Sequence, residues 1–262
     1  MFGWSVSLSS DGTILAAAAR EYNNVGQVRV FQWSSGSGWS QKGNGIDGVA
    51  VDDEFGGSVS LSSDGNILAV GAADYDGTAG TKTGHVRVYE WSSGSGWTRK
   101  GADIEGVAAY DQFGISVSLS SAGTVLAVGA QSHSPGGHVR MFQWSGGSWT
   151  QLGADIEAEG GSDAFGRSVS LSSDGTRFAV GGPGNDDVDN NAGHVRVFQH
   201  VVLAPPAAPP PLPPAYLSAP PGLTLVHDTI FEGDMIVEAR RALSPPQPRA
   251  SVRSQPPPQP TD

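Results

Sequence analysis

One motif, present in four copies, limits the folds open to this chain. Residues 55–72 read Phe-Gly-Gly-Ser-Val-Ser-Leu-Ser-Ser-Asp-Gly-Asn-Ile-Leu-Ala-Val-Gly-Ala, and close copies start at Phe2, Phe113 and Phe165. Successive starts lie 53, 58 and 52 residues apart. A strand-rich period of about 40–50 residues is the mark of a propeller blade, and shorter solenoid repeats fit less well.

Each unit carries four strand signals separated by turn residues. Strand A, residues 58–62, alternates apolar and polar side chains with period two. Ser63-Asp64-Gly65 makes a tight turn, and residues 67–72 form strand B. A loop rich in Gly, Asp and Asn follows and absorbs the differences in repeat length. Strand C covers residues 85–91, Ser92 to Gly96 makes a hairpin connection, and strand D runs from Trp97 to about Ile104. Strands A and B are built of Ser, Ala, Gly and Val, while C and D carry Phe, Tyr and Trp. Blades crowd together at a propeller axis and splay outward. Small side chains therefore suit the inner strands and aromatics the outer wedge. This places A innermost and D outermost.

The fourth copy holds its pattern to Gln199. There Val201-Val202-Leu203 and a proline tract replace the second Trp strand. The expected fold is all-β: a β-propeller of about four blades over residues 1–203, incomplete or open, able to self-associate to complete the ring. Residues 204–222 read as a Pro-rich polyproline II linker. Residues 223–243 read as a short hairpin or a helix capped by Asp234, with one segment able to fill the vacant outer position of blade four. Residues 244–262 read as a disordered Pro/Gln/Ser tail, so the C-terminal tail as a whole is Pro-rich and largely disordered.

Composition narrows the function classes. Hydrophobic residues make up 38%, with 37 Gly and 18 Pro, which suits short strands and turns over long helices. The net charge of -11 disfavours nucleic acid and favours a cation or a basic protein surface. The chain has no cysteine, so it has no disulfide framework. No apolar run approaches the ~20 residues of a transmembrane helix. The first residues already lie inside a repeat, which reads as a truncated start with no signal peptide visible.

Phe-Gly, then Ser-Val-Ser-Leu, then Val-Gly-Ala (Val70-Gly71-Ala72, Val128-Gly129-Ala130 and, in variant form, Val180-Gly181-Gly182-Pro183), then Gly-His-Val-Arg-Val resembles the FG-GAP repeat of integrin-α-type propellers. The resemblance covers roughly residues 2–200. It implies an adhesion or ligand-binding module with an extracellular or cell-surface setting. Many members of that family carry a calcium loop between the first two strands. This chain has one carboxylate at most there (Asp11, Asp64, Asp174, with Ala122 in the third copy), against the six to eight oxygens calcium takes. The Ser-Asp-Gly turn also resembles WD40-type blades, although the Trp-Asp dipeptide is absent.

Four sets of residues could carry function. The acidic loop with Asp186, Asp187, Asp189 and Asn191 offers oxygen ligands for calcium, set against the plainer reading of a solvated B–C loop. His85, His138 and His194 recur at one position. They read as strand-start residues hydrogen-bonded to a neighbouring loop, with a metal or pH-sensing role as the alternative. Arg29, Arg87, Arg140 and Arg196 share a face with the aromatic residue two positions on and read as structural groups, packing on that ring or pairing with an acidic loop, with anion binding as the alternative. The pairs Trp33/Trp39, Trp91/Trp97 and Trp144/Trp149 read as cross-strand clamps, with sugar stacking as the alternative. No nucleophile elbow or phosphate loop is present, and a cofactor is not expected. The leading reading is a non-enzymatic binding module taking a protein or glycan ligand at the rim loops 73–84, 131–137 and 182–193. An intracellular WD40-like scaffold and a propeller lyase or glycosidase are the rivals.

Overall fold

The computed structural model describes residues 1–186 and 192–200. They form four antiparallel sheets, one per repeat. Blade 1 contains β1 (Val6–Leu8), β2 (Ile14–Ala19), β3 (Gln27–Ser34), β4 (Gly38–Gln41) and β5 (Ile46–Asp47). Blade 2 contains β6 (Ser58–Leu61), β7 (Ile67–Ala72), β8 (His85–Ser92), β9 (Gly96–Arg99) and β10 (Ile104–Glu105). Blade 3 contains β11 (Ser116–Leu119), β12 (Val125–Ala130), β13 (His138–Ser145) and β14 (Ser148–Glu157). Blade 4 contains β15 (Ser168–Leu171), β16 (Arg177–Gly182) and β17 (His194–Gln199). The all-β, four-blade expectation holds. The expectations for residues 204–262, and for a segment completing blade 4, lie outside the described residues.

Strand D departs from the continuous strand expected. In blades 1 and 2 it is two pieces, β4 with β5 and β9 with β10, each pair hydrogen-bonded to one strand C. The break follows Lys42-Gly43 and Lys100-Gly101. Gly43 and Gly101 have φ of +79° and +89°, values that take the chain out of the ladder. In blade 3 the same place is a register shift inside one ten-residue strand.

The small-inside, aromatic-outside gradient has a specific cause, because the inner serines link the blades. Leu61, Leu119 and Leu171 each donate their N–H to the hydroxyl of a serine on the preceding inner strand (Ser7, Ser60, Ser118) at 3.0 Å. Ser5, Ser58 and Ser116 donate to the carbonyls of Gly56, Gly114 and Gly166 on the following blade. The turns between strands A and B also meet: Ser10 N–H donates to Ser63 O, Ser63 N–H to Ser121 O, and Ser121 N–H to Ser173 O. A larger residue at these positions would hold the strands apart and leave edge amides unpaired.

Three apolar layers lie between consecutive blades. At the centre of each is the Phe of a Phe-Gly motif: Phe55, Phe113 and Phe165 are all fully buried. Each of these rings carries an arginine on its face, with Arg87, Arg140 and Arg196 at 6.0, 5.4 and 5.1 Å from the ring centroids. The packing role expected for the arginines is therefore present. The tryptophans pair across the C–D hairpins at ring separations of 5.7, 5.4 and 5.4 Å. Trp97 and Trp149 also donate Nε1–H to Lys42 O and Lys100 O of the preceding blade, which clamps the outer edge.

Among the described residues, blades 1 and 4 do not pack on each other. Phe2, the first copy of the motif phenylalanine, is 58% exposed, as are Val6 (63%) and Leu8 (56%) on the same blade. At the other end Val195 and Val197 are 70% and 63% exposed. The arc is open.

Candidate functional site

The loops that vary between repeats gather at one rim, where strand B passes to strand C and strand D returns to the next Phe-Gly. Between blades 1 and 2 they enclose a cleft of about 700 Å³. Its walls come from residues 20–24, 50–54 and 74–82. Six carboxylates (Glu21, Asp52, Asp53, Glu54, Asp74, Asp76) face it, against the cations Arg20 and Lys82. Arg20 pairs with Glu54 at 2.9 Å and Lys82 with Asp74 at 2.8 Å. Burial pushes the carboxyls of Asp53 and Glu54 above their ordinary values. Glu21 and Asp52 remain exposed at the mouth. Loop 73–84 was legible as a rim loop because its length varies. Residues 50–54 were not, because nothing in their spacing marks them as facing it.

A second cluster sits in blade 3. His138 opens β13 and is fully buried, and its cross-strand partner is Glu157 at the end of β14. Loop residue His133 lies over it, with ring centroids 4.0 Å apart. His133 Nδ1 is 2.8 Å from Asp111 Oδ1, and Asp111 also accepts N–H bonds from Val107 and Ala108. A ring nitrogen from each histidine and a carboxylate oxygen of Glu157 lie within 4.8 Å of one another. A cavity of about 330 Å³, lined by His133 and by Ser162 and Ala164 of the next loop, opens beside them.

The expectation that the recurring histidines hydrogen-bond a neighbouring loop is corrected. Neither ring nitrogen of His85 or His138 has a hydrogen-bond partner. Both are held by ring contacts: His85 meets Tyr75 edge-on at 4.1 Å, and His138 meets His133 at a tilt at 4.0 Å. Loss of water pushes them down, His85 to about 3 and His138 to about 4, so both are neutral at pH 7. The histidines do not converge; each belongs to its own blade. Sequence reading missed His133 because it occupies no repeat position. The signal was there: His133 and His138 stand as His-x4-His, within the spacing zinc sites use.

Of the residues expected to bind calcium, Asp186 is exposed at the edge of the blade 4 loop, and Asp187, Asp189 and Asn191 lie outside the described residues. At the turns between strands A and B, the lone carboxylates are engaged internally. Asp11 accepts from the Ser9 hydroxyl and from the Thr13 amide and hydroxyl, which holds it down at about 2. Asp174 does the same with Ser172 and Thr176, also at about 2. Each of these aspartates builds a turn.

No protein-family model matches the chain, and no curated protein does. Among solved structures it is similar to TolB from Acinetobacter baumannii, at 17% identity and a TM-score of 0.41, covering 75% of this chain and 43% of that one. It is also similar to the Pseudomonas aeruginosa periplasmic gluconolactonase PpgL, at 19% identity and a TM-score of 0.47, covering 71% and 49%. The chain thus spans less than half the length of either of these two structures.

Proposed function

We propose that the chain is a non-enzymatic binding module of the FG-GAP kind, whose rim cleft takes a basic segment of a protein partner. The observation that carries this reading is the excess of carboxylates in the cleft between blades 1 and 2, on a chain of net charge -11. A Lys- or Arg-bearing segment entering there would meet Glu21 and Asp52 first and then the partly buried carboxylates behind them. The polar groups at equivalent positions serve turns and blade contacts in copy after copy, which supports a scaffold role for the repeated residues. The FG-GAP likeness favours an extracellular or cell-surface setting.

The test is fluorescence anisotropy with a labelled Lys-rich peptide and a Glu-rich peptide of the same length. Binding of the first alone, weakened by salt and by the pair Glu21→Gln/Asp52→Asn, is the expected result. Equal binding of both peptides, or no effect of the pair, refutes the reading. A glycan ligand is the second reading, favoured by the exposure of Trp33 and Trp39 on blade 1. It predicts a shift of tryptophan emission on adding glycans.

A further inference from the structure

From the blade 3 cluster we infer a zinc site, with His133, His138 and Glu157 as ligands. The donor set is two imidazoles and a carboxylate, which suits zinc and leaves a fourth position open to water. Three observations point the same way. His138 is fully buried with both nitrogens unpartnered, and a buried imidazole without a hydrogen bond is costly unless something else takes its lone pair. Asp111 holds His133 Nδ1, which fixes the tautomer and leaves Nε2 to face a metal, the carboxylate–histidine arrangement of zinc second shells. The repeats supply an internal contrast. The cross-strand partner of the strand-start residue is acidic in blades 1, 2 and 3 (Asp47, Glu105, Glu157), yet only blade 3 adds a second histidine. In blade 2 the place of His133 over the buried histidine is taken by Tyr75.

A tetrahedral zinc at about 2.0–2.1 Å sets its ligand atoms roughly 3.4 Å apart. The present span of up to 4.8 Å closes with a small movement of loop residue His133. The test is calorimetric titration of the chelator-treated full chain with zinc chloride, followed by the visible spectrum with cobalt(II). One zinc per chain and the bands of tetrahedral cobalt are expected. His133→Tyr copies the ring contact that Tyr75 makes with His85 in blade 2, so the fold should persist while zinc affinity falls at least about tenfold. Glu157→Gln should weaken zinc by a similar factor. No heat with zinc, or unchanged affinity in a folded His133→Tyr chain, overturns the assignment.

A separate observation carries a second proposal. Blade 4 has a socket of about 490 Å³ lined by Ser168, Gly181, Gly182, Gly193, His194 and Val195. At the corresponding places in blades 1, 2 and 3, Gly26, Gly84 and Gly137 sit against the backbone of Phe55, Phe113 and Phe165 of the following blade. No such phenylalanine follows blade 4 among the described residues, while Phe2 stands exposed on blade 1. The geometry points to a second copy of this chain docking head to tail, with Phe2-Gly3 of one copy in the socket of the other.

The polar links would continue by the same rule. Ser168 is placed to donate to Gly3 O of the second copy, the Ser170 hydroxyl to accept from its Leu8 N–H, and Ser173 N–H to reach its Ser10 O. Two copies of the four described blades make eight, within the four to eight of propellers, and a third would exceed it. Light scattering on the full chain should give about 54 kDa, twice the 27.0 kDa of one chain. Phe2→Asp and Val195→Asp lie on opposite exposed faces, and each should halve that mass with unchanged circular dichroism. A 27 kDa wild-type chain at micromolar concentration, or a dimer indifferent to both substitutions, overturns the proposal.

Discussion

Truncating the motif phenylalanine measures what holds one blade to the next. Phe113 is fully buried between blades 2 and 3, edge-on to Phe142 at 6.1 Å and beneath the Arg140 guanidinium at 5.4 Å. A buried aromatic removes about 150–250 Å² from water, worth roughly 4–6 kcal/mol at 25 cal/mol per Å². Alanine keeps part of that, and measured Phe→Ala costs run at about 3–5 kcal/mol. Phe2 fills the same repeat position but is 58% exposed, so Phe2→Ala should cost about 1–2 kcal/mol in the isolated chain. The assay is urea unfolding followed by tryptophan fluorescence, below the concentration at which copies associate. Phe113→Ala should lower the stability of the arc by about 2–3 kcal/mol more than Phe2→Ala. If the two variants lie within about 1 kcal/mol of each other, the Phe-Gly ring does not hold the blades together.

Two other outcomes follow from the same contacts. Ser60→Ala deprives the Leu119 N–H of its acceptor and should cost about 1–3 kcal/mol, whereas Ser170→Ala, with no following blade among the described residues, should cost a few tenths in the isolated chain; equal costs would contradict the serine links. His85, neutral in its buried site and pushed to about 3, binds a proton more readily once unfolded, near 6.5. Its contribution is therefore lost as pH falls, by about 2 kcal/mol between pH 6.5 and 4.5. His85→Gln, which borrows the residue blade 1 uses, should flatten that part of the stability profile; an unchanged acid limb in urea titrations would exclude the buried neutral histidine.

The fold was legible because repetition removes ambiguity. One strand pattern read four times fixes the blades, and the gradient from serine to tryptophan fixes which edge faces the axis. The chemistry of the serines was less legible. Alternation places Ser7, Ser60 and Ser118 on one face, but only the neighbouring blade shows that each hydroxyl receives an amide. The strand D break was hidden because Gly101 looks like any turn glycine until Trp144 is seen across it, where a Cβ would come within 2.8 Å of the ring. The sites were least legible. The acidic cleft combines three loops from two repeats, and the blade 3 cluster joins Asp111, His133, His138 and Glu157 across 46 residues of chain. Periodicity reports what the copies share, and these sites depend on where the copies differ.

The adjacency of the A–B turns around one axis can be tested by cross-linking, since the chain has no cysteine of its own. The Ser63 N–H donates to Ser121 O at 2.9 Å, which puts the two Cα atoms within the range a disulfide spans. Under mild oxidation the Ser63→Cys/Ser121→Cys chain should form a 63–121 disulfide within one molecule, seen by mass spectrometry of its peptides. Folded protein in which those two thiols stay free, with no 63–121 peptide recovered, would contradict the hub of serine-rich strands.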